Sequence, residues 1–192
     1  VPQDYRTAAD WYRQAADQGD AHAQRELGQL YRRGQGVHRD YFKAIKWFQS
    51  AGEGGDKDGF NDLGLLYLNA EGVERDYEAA ISWFEKSAAM GYALALHNLG
   101  VIYAKKDFVR QSDEKAFQYY SQAAEKGHGS SQYNLGLWYH KGRFVKEDFK
   151  QAFQLYTSAA EKGVVAAFTN LGSLYQNGQG VPRDYEQARK YF

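Results

Sequence analysis

The 192 residues carry 24 Lys and Arg against 24 Asp and Glu, no Cys, 2 Pro, 20 Gly and 16% aromatic side chains. Balanced charge argues against a strongly basic nucleic-acid binder, and the lack of cysteine excludes a disulfide framework, a thiol nucleophile and a zinc ribbon. No apolar run approaches the roughly 20 residues that span a bilayer, so no membrane insertion is expected, while the compartment stays open.

In chain order, the first predicted element is a helix that follows Val1-Pro2-Gln3-Asp4-Tyr5, a string echoed by Val181-Pro182-Arg183-Asp184-Tyr185. The next helix places Ala23, Leu27, Leu30 and Tyr31 on one face. A loop, Arg33-Gly34-Gln35-Gly36-Val37, follows, and its valine is expected to return to the core. Asp40 then stands where an N-cap oxygen accepts the free amides of a first turn. The helix behind it carries Tyr41, Ala44, Ile45, Phe48 and Ala51 on one face. Gly55 closes it, since glycine takes the left-handed cap conformation cheaply.

From here the chain repeats itself. The Leu-Gly pair recurs at Leu27, Leu63, Leu99, Leu135 and Leu171, always 36 residues apart and always followed by Tyr at the fifth position. Asp40, Asp76, Asp148 and Asp184 keep the same phase, each with an alanine four residues on, and Gly19, Gly55, Gly91, Gly127 and Gly163 close the units. Each unit is therefore one A helix and one B helix. The predicted boundaries are a lone B helix at 1–19, full units at 20–55, 56–91, 92–127 and 128–163, and a truncated unit at 164–192. No stretch alternates with period two. The expected fold is all-α, a right-handed α-α superhelix (solenoid) of stacked hairpins in a single array. Its ends read as a segment of a longer array.

Gly28, Gly64, Gly100, Gly136 and Gly172 lie inside the A helices, where glycine costs about 1 kcal/mol relative to alanine. That repeated cost implies a close helix approach, expected against Ala44, Ala80, Ala116, Ala152 and Ala188 of helix B. Gly100→Val is accordingly expected to harm the fold more than Gly36→Ala in a loop. Two loops depart from the pattern and are expected to differ in shape. Lys106-Asp107-Phe108 replaces one Gly-x-Gly turn, with Ser112 in the capping place, and Phe144 replaces a second glycine.

Leu-Gly-x-hydrophobic-Tyr, then Gly-x-Gly-Val, then Asp-Tyr-x-x-Ala-x-x-Trp-Phe, then a small pair and glycine, resembles the Sel-1-like repeat family, relatives of tetratricopeptide repeats. The resemblance covers the whole chain. It implies an adaptor that holds another protein, and the candidate residues weighed next give no expectation of an enzyme.

Candidate chemistry is weak by comparison. The phased aspartates read as helix caps. The Gly-x-Gly loops follow helices, without the lysine-serine pair of a phosphate loop. His22, His38, His97, His128 and His140 show no metal spacing, so neither metal nor cofactor is expected. Arg25, Arg32, Arg33, Arg39, Lys43 and Lys46 make one unit basic, which reads as solvated charge and not as a phosphate track along the chain.

The A-helix positions that vary between units form the candidate partner stripe: Arg25, Gln29 and Arg32, then Asn61, Leu65 and Leu68, then Leu94, His97 and Val101, then Tyr133, Leu137 and His140, then Thr169, Ser173 and Gln176. By resemblance to tetratricopeptide arrays this stripe lines a concave groove for a peptide or helix of a partner protein. Its apolar middle should supply affinity, and Arg25 and Arg32 should select an acidic end of the ligand. A Leu65→Asp, Leu137→Asp variant is expected to stay helical and lose the partner. The alternatives are a structural spacer within a larger protein and an RNA-binding helical repeat. A monomer is the expected state.

Overall fold

A computed structural model describes residues 4–105 and 111–192. Among them are eleven α-helices and no strand: α1 (Tyr5–Ala16), α2 (Ala21–Arg33), α3 (Tyr41–Glu53), α4 (Lys57–Asn69), α5 (Tyr77–Ala89), α6 (Ala93–Ala104), α7 (Asp113–Glu125), α8 (Gly129–Lys141), α9 (Phe149–Glu161), α10 (Val165–Asn177) and α11 (Tyr185–Tyr191). Even-numbered helices are the A helices of the sequence pattern and odd-numbered ones the B helices. They group into two compact units, 1–95 and 96–192.

The B helices start alike because the same acceptor starts them. Oδ1 of Asp40, Asp76, Asp148 and Asp184 accepts the amide three residues on at 2.9–3.0 Å. Ser112 Oγ takes the same role for Lys115 at 3.2 Å, so the serine substitution preserves the cap. Each A-to-B loop is also closed by one bond of fixed register. The amides of Asp40, Asp76, Ser112, Asp148 and Asp184 donate to the carbonyls of Tyr31, Tyr67, Tyr103, Tyr139 and Tyr175 at 2.9–3.2 Å. The fourth loop does not depart as expected: Phe144 takes the left-handed conformation of its glycine counterparts, with φ 61°. Lys106, Asp107 and Phe108 lie outside the described residues.

The A-helix glycines do mark close approaches, but the nearest partner is an aromatic ring and not the alanine. A β-carbon at Gly28, Gly64, Gly100 or Gly136 would lie 2.5–2.7 Å from the ring of Phe48, Phe84, Tyr120 or Tyr156 respectively. The ring belongs to the residue four places after the expected alanine, one turn further along helix B. A flat ring laid on a bare backbone fills more space than two facing methyl groups, which favours this packing. Gly36 also corrects its expectation. It has φ 71°, and a β-carbon there would stand 2.1 Å from the Tyr5 carbonyl oxygen. Gly36→Ala is thus expected to be costly as well, and not a mild loop change.

The core of the first unit gathers Leu27, Tyr31, Phe48, Leu63 and Leu66, with the loop residue Val37 packed against it. That of the second includes Tyr156, Leu171 and Leu174, with Val181 in the corresponding place.

Candidate functional site

In the first unit the variable positions of α2 meet acidic residues of α4 and the loop behind it. The Gln29 Nε2 amide donates to Asp62 Oδ2 at 2.7 Å. Arg32 makes a two-pronged pair with Glu71, Nε and Nη2 donating at 2.7 and 2.6 Å. Arg25 contacts Glu26 at 2.6 Å through Nη2 and Asp56 at 3.2 Å through Nε. The Tyr92 hydroxyl donates to Asp58 Oδ1 beside them. Five carboxylates therefore surround two guanidiniums.

The electrostatics follow from that imbalance. Asp62 is only 8% exposed. Burial pushes its carboxyl up to about 6, against the opposing pull of the Gln29 bond and of Arg25 and Arg32. The Arg32 bond holds Glu71 below the usual carboxylate range. Burial, followed by the bond to Asp58, raises the Tyr92 phenol. Gln29 Oε1 is buried with no hydrogen-bond donor to it among the described residues. Arg25 Nε, buried too, makes only its ion contact with Asp56 and no hydrogen bond, so what the cluster has in excess is negative charge, five carboxylates against two guanidiniums.

This arrangement corrects the reading of Arg25 and Arg32 as an open basic end. Both are already engaged by carboxylates of this chain. Asn61 is 3% exposed and sits inside the unit instead of facing out. Leu65, Leu68 and Leu94 are half-buried.

In the second unit, His97 and Val101 on α6 and Tyr133, Leu137 and His140 on α8 are likewise half-buried. Tyr133 and Leu137 pack against the core around Tyr156 and Leu171, so these two members of the expected apolar row belong to the core's margin. His140 Nδ1 lies 3.3 Å from the Tyr156 hydroxyl. Burial lowers the His140 imidazole and raises the Tyr156 phenol. His97 Nδ1 lies 2.9 Å from the buried Ser131 hydroxyl, and its ring centre is 4.6 Å from that of His128. Burial, aided by His128, takes His97 down to about 4. On α10, Thr169 and Gln176 are exposed, while Ser173 is half-buried and accepts from Asn177 Nδ2 at 3.4 Å.

Asp56, Asp62, Glu71 and Tyr92 were not singled out by the sequence pattern. Their separations from Arg25, Gln29 and Arg32 differ from the 36-residue period, because a side chain leans along its helix toward a neighbour one turn out of phase. The one available signal was an acidic second unit opposite a basic first. No cluster of three His, Cys, Asp or Glu able to hold a metal ion occurs among the described residues, and none of the described helices is long and apolar enough to cross a membrane.

A family model described as Sel1 repeat matches residues 1–20, 21–56, 61–92, 93–128, 129–164 and 166–192. Among solved structures, the chain is similar to a Sel1 repeat protein from Oxalobacter formigenes, with 36% identity, TM-score 0.90, and coverage of 100% of this chain and 78% of that one. It is similar at 33% identity and TM-score 0.89 to a protective antigen present in uropathogenic Escherichia coli strains. All of this chain aligns there, spanning 41% of the length of the antigen. An immunity protein from Pseudomonas aeruginosa shares the fold at 24% identity and TM-score 0.63, over 100% of this chain and 73% of its own. No curated protein matches the chain significantly.

Proposed function

The chain belongs to the Sel1 repeat family, whose members generally mediate protein–protein interaction, and from that premise we propose that it is a non-enzymatic adaptor holding a segment of another protein on its A-helix face. The observation that supports this is the polar cluster of the first unit. It occupies positions that differ between repeats, so packing of the scaffold does not require it. Its excess of negative charge fits a partner segment bearing Lys or Arg, which would meet the half-buried carboxylates of Asp58 and Glu71. The half-buried Leu65 and Leu68 alongside would give such a segment apolar contact.

Selection of random 12-residue peptides displayed on phage against the immobilised chain tests the reading. The expected result is enrichment of peptides with Lys or Arg, binding that weakens with salt, and loss of binding in an Asp58→Asn, Glu71→Gln variant that keeps its helical spectrum at the assay temperature. Enrichment of acidic peptides, or binding indifferent to the double change, would overturn it.

A further inference from the structure

We propose that the seam between α6 and α8 is an acid-operated clasp, with His128 Nδ1 as the atom that senses the proton. Three contacts converge there. His128 is the N-cap of α8, and its Nδ1 at 3.3 Å shares the Ser131 amide with the His128 carbonyl oxygen at 3.0 Å. The Ser131 hydroxyl oxygen lies 3.0 Å from that same Nδ1 and 2.9 Å from Nδ1 of His97 on α6. Ser131 is fully buried, so water does not stand in for a missing partner.

One assignment of protons satisfies all three contacts. Because His128 Nδ1 accepts the amide, it carries a lone pair and its proton sits on Nε2. The serine hydroxyl has one proton, and it donates to His128 Nδ1. His97 must then donate from Nδ1–H to the serine oxygen. Both imidazoles are neutral in this chain of donors, which links the two A helices.

The two histidines respond to acid unequally. A proton added to His97 goes to Nε2 and leaves its Nδ1 donor in place. A proton added to His128 goes to Nδ1, the acceptor itself, so the Ser131 hydroxyl loses its acceptor while the Ser131 amide keeps only the His128 carbonyl at 3.0 Å. The clasp loosens and α8 loses its side-chain cap.

The surroundings keep both rings neutral at pH 7. Burial depresses His97, with His128 adding to it, and burial alone depresses His128. The titratable neighbours from the other helices are Tyr120 of α7, with its ring 5.7 Å from His97, and Lys162 at the end of α9, whose side chain passes beside Gly127 and Gly129. Neither is an anion that would steady an imidazolium. A depressed folded pKa means the unfolded chain binds the proton more readily. The clasp therefore stabilises fully above about pH 6.5 and is lost as pH falls through the folded values.

Nitrogen-15 NMR of the intact chain tests this, together with amide exchange normalised to the intrinsic rate. At pH 7, His97 should show the Nδ1–H form and His128 the Nε2–H form. As His128 titrates below pH 6.5, amides of the first α8 turn should exchange about five-fold faster, the size that loss of a helix cap brings. A His128→Asn variant, which keeps a cap oxygen that does not titrate, should lose this acid response. Finding Nδ1–H on His128 at pH 7, or α8 exchange that ignores its titration, would overturn the proposal. So would an acid response of His128→Asn equal to that of the parent.

Discussion

At the scale of single residues, position 62 shows what a repeat tolerates when a side chain serves something other than packing. The place before each Leu-Gly pair holds Glu26, Asp62, Asn98, Asn134 and Asn170, and at Asp62 burial pushes the carboxyl up to about 6. Its folded pKa lies above its unfolded one, so the native state holds the proton more tightly. Its contribution is most favourable below about pH 4 and is lost as pH rises through 6. Asp62→Asn is therefore expected to raise stability by about 1–3 kcal/mol at pH 7.5 and to change it little at pH 4. Urea denaturation at the two pH values measures this, and an equal effect at both would contradict it. Ala70 makes a separate case. It ends α4 at φ 60°, where Gly34, Gly142 and Gly178 end their own A helices. A left-handed residue with a β-carbon costs about 1–2 kcal/mol, so Ala70→Gly should raise the midpoint despite the glycine's unfolded-state entropy. A lower midpoint would show that this backbone is not strained.

At the scale of elements, the helices and their boundaries were legible because each start and stop is local chemistry. An aspartate cap, a fixed Tyr-to-Asp loop and a closing glycine need only neighbours in sequence. Phe144 shows the limit of that reading. The chain holds its loop by the Asp148–Tyr139 bond and places a phenylalanine where glycine is easiest, with the ring 5.5 Å from that of Phe117. The aromatic partner of each A-helix glycine was not legible, because an alanine and a ring one turn apart occupy the same helix face. Gly136→Ala is expected to cost about 1–3 kcal/mol, since its β-carbon would stand 2.6 Å from the Tyr156 ring. Gly163→Ala has open space around it and pays for its left-handed backbone alone. A smaller loss at Gly136 than at Gly163, by thermal melting, would contradict the packing described.

For the whole molecule, the period of 36 carried the fold class and the side of each unit on which variation accumulates. It did not reveal which variable residues would meet, because Gln29–Asp62 and Arg32–Glu71 join residues out of phase with the period. The Leu65→Asp, Leu137→Asp change also takes on another meaning. Leu137 packs against the Tyr156 core, so this variant is expected to lose stability by about 2 kcal/mol or more, and loss of a partner would follow from that alone. Exposed positions give the cleaner probe. A photo-activated cross-linking residue can be placed at His22 or Gln176 on the A helices, and at Gln49 or Gln154 on the B helices, all four being exposed. In extracts of the source organism, the expected result is a discrete protein adduct from His22 or Gln176 that is absent from Gln49 and Gln154. Adducts from the B-helix positions alone, or from none of the four, would contradict the assignment of the A-helix face as the binding surface.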